Sequence, residues 1–372
     1  MKITAVETTP LLLPFKVPYH WAKGVDRGTT VVLIEVHTDE GLTGVGESLP
    51  WQSVETVTSV YEAVADLVVG RDPHDVADIM RSLYATAATG NPSPRFFRQT
   101  FAGLEMAQWD VIGKAADLPV HKLFGGAVHQ QVQYFAFLQG DTDEELAAHA
   151  SQLVAEGYEV FYLKIGRGDD IDLRNTAAVR QAIGDRRLRL DANEAWDPLT
   201  AIRMARRLLP FEPEFIEQPT PSHSIEALAQ VKASVEVAIA ADQSVFTEAE
   251  VYEICRRQAA DVIVLGIHET GGLLNYRKAA AIAEAAGINL CLHGVFESGI
   301  TTCASNQVIA TVPNSDDGHQ IMWHLLERDL VAEPDLTPVD GRLPIFDGPG
   351  LGFTLDRDAV DHAAAAHLEA RK

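Results

Sequence analysis

The sequence predicts an α/β protein: a (β/α)8-type barrel, a modified TIM barrel, with an α+β domain capping it from the N-terminal side. Three observations carry this. Strand-like apolar runs end at Gln139, Lys164, Asp191, Glu217, Asp242, Gly266, His293 and His319, at intervals of 24 to 27 residues. One strand, one helix and two short loops take about that many residues, and eight units at a near-constant period mark a closed barrel. An open doubly wound sheet would carry a Gly-rich phosphate turn after its first strand, whereas Phe137-Leu138-Gln139-Gly140-Asp141 has a single glycine. Finally, the first third of the chain lacks the repeat.

In that first third, Lys2-Ile3-Thr4-Ala5-Val6 and Thr30-Val31-Val32-Leu33-Ile34-Glu35-Val36 alternate as strands, and Asp39-Glu40-Gly41 supplies a hairpin turn. Residues 17–26, with Tyr19, His20, Trp21 and Lys23, read as a polar and aromatic loop. From about 54 to 115 the apolar spacing becomes helical, as in Val57, Val60, Val64 and Leu67, then Phe101, Leu104, Ala107 and Val111. The expected organisation is a capping domain over 1–125 and a barrel over 126–334, with 335–372 returning to complete the cap. Within the barrel, Asp197-Pro198 opens a helix, and Gly157, Gly184 and Gly287 close others.

Composition narrows the function classes. The 372 residues are 47% hydrophobic and 22% charged, as in an ordinary globular protein. A formal net charge of −23 excludes binding to nucleic acid through phosphates. It would also repel an anionic substrate unless a cation inside the site reversed the local field. No apolar run reaches the about 18 residues of a membrane span, and the N-terminus has no signal-peptide pattern. Three cysteines (Cys255, Cys291 and Cys303) in apolar surroundings argue for a reducing, cytoplasmic setting.

Asp191, Glu217 and Asp242 each close an apolar run, 26 and 25 residues apart. In a parallel barrel the strand ends converge where the chemistry sits. Three carboxylates at equal depth there would repel one another unless a hard cation such as Mg²⁺ held them together. Lys164, one unit earlier, reads either as a counter-ion to the acids or as a general base. A base beside a metal-bound carboxylate is the arrangement for removing a proton α to a carboxylate.

These motifs, together with Lys164-Ile165-Gly166, Asp191-Ala192-Asn193, Glu217-Gln218-Pro219, Asp242-Gln243-Ser244, Gly271-Gly272-Leu273, Gly41–Glu47 and Asp347–Gly352, resemble the enolase superfamily over essentially the whole chain. The mandelate racemase and muconate lactonizing enzyme branches are the nearest match. The resemblance implies a cap over a (β/α)7β-type barrel, one Mg²⁺ on Asp191, Glu217 and Asp242, and an enediolate intermediate. It makes Lys164 the base, matching the second lysine of a Lys-x-Lys motif, and makes a symmetric homo-oligomer the expected assembly. Three positions depart from the pattern. Tyr162 replaces the first lysine, Gly266 replaces the sixth-strand base, and Gln243 replaces a glutamate. His293 matches the racemase branch's histidine, without its sixth-strand aspartate. His268, sharing strand parity with Gly266, is a second candidate acid, and His319 a third. Asn193, Glu297, Trp51 and the lid residues Tyr19, His20, Trp21 and Lys23 are the expected substrate contacts. With one base, dehydration of a hydroxy-carboxylate is the favoured reaction. Epimerisation or cycloisomerisation is the runner-up, and a catalytically silent acid-binding relative is the alternative.

Overall fold

The protein is described from a computed structural model covering residues 1–50, 53–88, 94–320 and 322–371. The cap opens with an antiparallel meander of β1 (Ile3–Trp21), β2 (Gly24–Thr38) and β3 (Thr43–Ser48). Helices Val54–Val64, Val76–Ala88 and Pro94–Ala116 follow. The buried residues of the meander (Val32, Ile34, Val36) and of the helices (Val57, Ile79, Leu83, Phe101, Leu104) form one apolar cluster. The helix Pro94–Ala116 lies almost in backbone contact with β3: a Cβ at Gly44 or Gly46 would run into the carbonyls of Ala107 and Gly103. Those two glycines are there for close approach.

After β4 (Gln131–Gln133), seven parallel strands form one sheet: β5 (Ala136–Phe137), β6 (Val160–Lys164), β7 (Arg187–Asp191), β8 (Phe215–Glu217), β9 (Ala238–Ala241), β10 (Val262–Leu265) and β11 (Asn289–Leu292). Each pairs with the next. Their runs are mostly apolar because both faces are buried, the inner against the barrel and the outer against helices; β7, with Arg187 and Arg189, is the exception. Phe215, Ala240, Val264 and Cys291 pack together as a cluster separate from the main core. The helix punctuation works as expected. Asp197 caps the helix beginning at Pro198, and Gly157, Gly184 and Gly287 all adopt positive φ.

The eighth unit differs from expectation. Residues 315–320 make no regular strand; they close the barrel through single bridges, Leu290 with Ser315 and Tyr134 with His319. Gly318, at φ +83°, bends this segment. The fully buried Arg189 of β7 secures it, donating to the carbonyls of Asp317 (2.6 Å) and Gly318 while pairing with Glu214. Instead of an eighth barrel helix there is a short 3-10 turn, Trp323–Leu325. The remaining chain returns through β12 (Val331–Glu333), β13 (Arg342–Pro344), β14 (Thr354–Leu355) and a last helix, Arg357–Ala370. β13 pairs with β4, and Leu351 donates to Asp110 of the cap helix (2.9 Å). Arg357 pairs with Glu35 of β2.

The segment 17–26 is not a loop. Past a bulge after Pro14, β1 and β2 pair again (Tyr19 with Asp26, His20 with Val25, Trp21 with Gly24), making a hairpin whose tip is Ala22-Lys23. Gly24 at φ +147° allows the tight reversal, and Trp21 Nε1 donates to Asp26 (2.9 Å) across it. The alternating, partly apolar residues are the strand signal that the polar composition hid.

Candidate active site at the mouth of the barrel

Strand register builds one side of the mouth. Lys164 lies opposite Asp191, and Asp191 opposite Glu217, in the parallel ladder. Side-chain alternation brings Tyr162 to the same face one layer below Lys164. Tyr162 is fully buried, stacked on Phe135 with centroids 4.4 Å apart. Its hydroxyl lies 2.5 Å from Asp191 Oδ2 and 2.9 Å from Glu217 Oε1, where its single proton bridges the two acids. Lys164 forms an ion pair with the same Asp191 oxygen, its Nζ 3.4 Å from the Tyr162 hydroxyl. Burial opposes the charge on Lys164, but Asp191, Tyr19 and Glu217 together outweigh it, so the ammonium is held above its ordinary range.

Asp242 follows β9 one residue past the strand end and is 1% exposed. Gln218 brings it in, accepting from the amides of Asp242 (3.0 Å) and Ser244 (3.2 Å). Gln243 donates to Asp242 Oδ2, while Asp242 Oδ1 is buried without a hydrogen-bond partner. Burial, then the neighbouring Asp191, pushes Glu217 up to about 7. Burial likewise raises Asp242, against the pull of His293. A buried oxygen without a donor, on one of three neighbouring carboxylates, is what a divalent cation satisfies. The all-oxygen donor set fits Mg²⁺ on Asp191, Glu217 and Asp242. Gln320 Nε2 donates to Glu217 Oε2 (2.8 Å). Asn193, at φ +44°, donates its backbone amide to Asp191 Oδ1 (2.7 Å), and its own Oδ1 is buried without a partner.

Side chains from the segments after β10 and β11 build the other side. Gly266 follows β10 directly and caps the short helix Ile267–Thr270. His293, after β11, is 2.6 Å through Nδ1 from Glu269 Oε1 and 3.5 Å from Asp242 Oδ1. Burial opposes its protonation, but Asp242 and Glu269 raise its pKa to about 10. Sequence reasoning missed Glu269, because it lies three residues beyond the expected base position and on a helix.

That helix also removes His268 from the candidates. Strand parity does not apply to it, and its Nε2 donates to Thr301 (2.8 Å), whose hydroxyl donates to Glu47 (2.6 Å). Burial lowers its pKa to about 3. His319 is equally occupied, accepting from the Leu292 amide (3.0 Å) at the barrel seam. Glu297 accepts from the amides of Val295 and Met322 (3.0 Å), so it braces the loop after β11 instead of facing a ligand.

The hairpin tip spans the mouth. Tyr19 is buried between Phe137 (5.1 Å) and Phe296 (5.0 Å, edge-on). Burial raises its pKa, against the pull of Lys164. His20 lies 3.4 Å from Asp141, and Lys23 bonds Glu194 (2.9 Å) in the loop after β7. Trp21 faces Asp26, with Lys23 5.8 Å from its ring. Trp51 lies outside the described residues.

Comparison with known proteins agrees with this architecture. Residues 3–125 match the model of the mandelate racemase / muconate lactonizing enzyme N-terminal domain, and residues 145–359 match the enolase C-terminal domain-like model. The chain belongs to the mandelate racemase / muconate lactonizing enzyme branch of the enolase superfamily. Muconate cycloisomerase 1 of Rhodococcus opacus is 34% identical over 97% of this chain and 98% of its own. Among solved structures of the branch, the muconate lactonizing enzyme from Pseudomonas fluorescens complexed with muconolactone has a TM-score of 0.89 at 31% identity, covering 97% of this chain and 99% of that one. The dipeptide epimerase from Enterococcus faecalis V583 has a TM-score of 0.87 at 26% identity, covering 95% and 100%. Members of the superfamily are Mg²⁺-dependent, and this chain's relatives include isomerising enzymes, cycloisomerases and a dipeptide epimerase among them. No helix among the described residues is long and apolar enough to cross a membrane.

Proposed function

We propose that the protein is a Mg²⁺-dependent isomerase of a small carboxylate, an epimerase or cycloisomerase that moves the proton α to the carboxylate between Lys164 and His293. The observation carrying this reading is the 2.6 Å contact between His293 and Glu269. Without a partner for His293, Gly266 would leave the site with one base, which favours dehydration. With Glu269 in place, two proton-transfer groups flank the acids: Lys164 at the end of β6 and His293 after β11, with the strands of Asp191, Glu217 and Asp242 between them in sheet order.

Mg²⁺ on Asp191, Glu217 and Asp242 would offset the negative charge that gathers on the substrate carboxylate as the proton leaves. Tyr162 keeps Asp191 and Glu217 together. Lys164 must lose its ammonium proton to solvent before it can take one from carbon, and Mg²⁺ held by Asp191 would favour that loss by competing for the carboxylate that keeps Lys164 charged. The aromatic residues Tyr19, Phe137 and Phe296 and the Lys23–Glu194 bridge exclude water. Dehydration of a hydroxy-carboxylate is the second reading, favoured by the protonated state in which Asp242 and Glu269 hold His293, which suits it to deliver a proton to departing hydroxide.

The test incubates hydroxy acids, lactones and amino-acid derivatives with Mg²⁺ in deuterated water. Deuterium entering the α-position of recovered substrate and isomer, without loss of water, is the expected result. Lys164→Ala should slow that exchange by about 10²- to 10⁴-fold. Release of water with no isomer formed would replace this reading with the dehydratase.

A further inference from the structure

Gly266 is not simply a lost residue. A Cβ there would lie 2.8 Å from Glu269 Oε2 and 3.2 Å from the His293 carbonyl. The side chain of Glu269 folds back over the first turn of its own helix, and Oε2 accepts from the Gly266 amide (2.5 Å). This leaves Oε1 directed at His293 Nδ1 (2.6 Å). Any side chain at 266 would meet the carboxylate that now reaches His293.

The short helix carrying Glu269 is held from outside the barrel. Arg98 of the cap donates to the Thr270 carbonyl (2.7 Å) and pairs with Glu248. Glu105, also from the cap, accepts from the amides of Leu273 (2.7 Å) and Leu274 (2.9 Å) just beyond. The Thr270 hydroxyl donates back to the Gly266 carbonyl (3.1 Å). Glu269 itself is 1% exposed. A carboxylate this buried and this braced has a fixed position, which a group orienting a histidine requires.

We infer that Glu269 is the positioning residue for His293: the acid that orients the ring has moved three residues downstream from the end of the sixth barrel strand, and Gly266 is the space that the move requires. Held through Nδ1, the ring presents Nε2 to the substrate. Glu269 acts through His293 and touches no reacting atom. The inference rests on the reading of His293 as a proton-transfer group.

Two arms test it. Protein with ¹⁵N-labelled histidine, assigned with His293→Asn, reports whether His293 Nδ1 carries a hydrogen-bonded proton, whatever the activity. The expected result is a hydrogen-bonded Nδ1 proton in the wild type and its loss in Glu269→Gln. In the kinetic arm, Glu269→Ala should lower kcat by about 100-fold with KM nearly unchanged. Returning the acid to the strand end, in the double variant Gly266→Asp/Glu269→Ala, should recover at least about tenfold of that loss, as restored orientation requires. A wild-type His293 signal in Glu269→Gln overturns the inference, and so does a double variant no faster than Glu269→Ala. If no acid is turned over by any form, the proposed function fails, and the nitrogen signal alone still decides what Glu269 does.

Discussion

The two sides of the barrel mouth are built on different principles. On the side of β6, β7 and β8, functional side chains stand at strand ends, and one hydrogen-bonded ladder aligns Lys164, Asp191 and Glu217. On the side of β10 and β11, the strands stop early, and side chains that catch backbone amides hold the following segments. Glu269 takes the amide of Gly266, Glu297 those of Val295 and Met322, and Glu47 of the cap that of Ser298. Backbone register places groups at a fixed period. Carboxylate latches place them wherever a buried acid can reach an amide, so this side can change its chemistry without changing its strands.

Removing the hydroxyl that bridges the strand side should have the largest effect of three. Tyr162→Phe leaves the ring stacked on Phe135 but leaves Asp191 and Glu217 with no donor between them. Outer partners of metal ligands are worth about 10- to 100-fold in metal affinity, and Mg²⁺ titration by calorimetry should show a loss in that range. The same variant should cost about 1–3 kcal/mol of metal-free stability in denaturant unfolding. An unchanged Mg²⁺ affinity would mean that register alone sets the acids.

A pH series separates the two sides more gently. Burial pushes Glu47 and Glu297 up to about 7. Their folded pKa values lie above the unfolded one, so the folded protein keeps protons that the unfolded chain has lost. Their contribution is complete below about pH 4.5 and fades as pH rises to about 7 and beyond. Glu217, at the end of β8, is raised to about 7 as well, so the comparison strand is β6. Hydrogen exchange, corrected for intrinsic rates, should show protection of residues 293–301 falling between pH 5 and 8 while β6 changes little. Equal loss on both sides would refute the contrast.

The smallest expected effect lies at the hairpin tip. The Lys23–Glu194 pair is half exposed on the lysine side, so Lys23→Ala should change stability by less than about 1 kcal/mol. Its signature should be a raised KM with kcat nearly constant, because the tip helps close the mouth without joining the proton transfer. A fall in kcat equal to the rise in KM would place Lys23 in the chemistry.

What the sequence determined by itself was whatever obeys a period. The 24- to 27-residue beat located the barrel and seven of its strands, and put Lys164, Asp191 and Glu217 side by side, because a parallel ladder maps equal spacing onto equal depth. Gly157, Gly184, Gly287 and Asp197-Pro198 marked helix ends through local backbone geometry, which short sequence carries. Only the tertiary structure decided the rest. The pairing of Tyr19–Trp21 with Gly24–Asp26 depends on a bulge that polar composition conceals. His268 turns toward Thr301, and Glu269 toward His293, because four helical residues follow β10 and rotate successive side chains by a helical step, where strand parity would alternate them. Gln320 meets Glu217 only through the irregular closure at Gly318. Such contacts depend on where separate segments dock against one another, and no local pattern of residues encodes that distance.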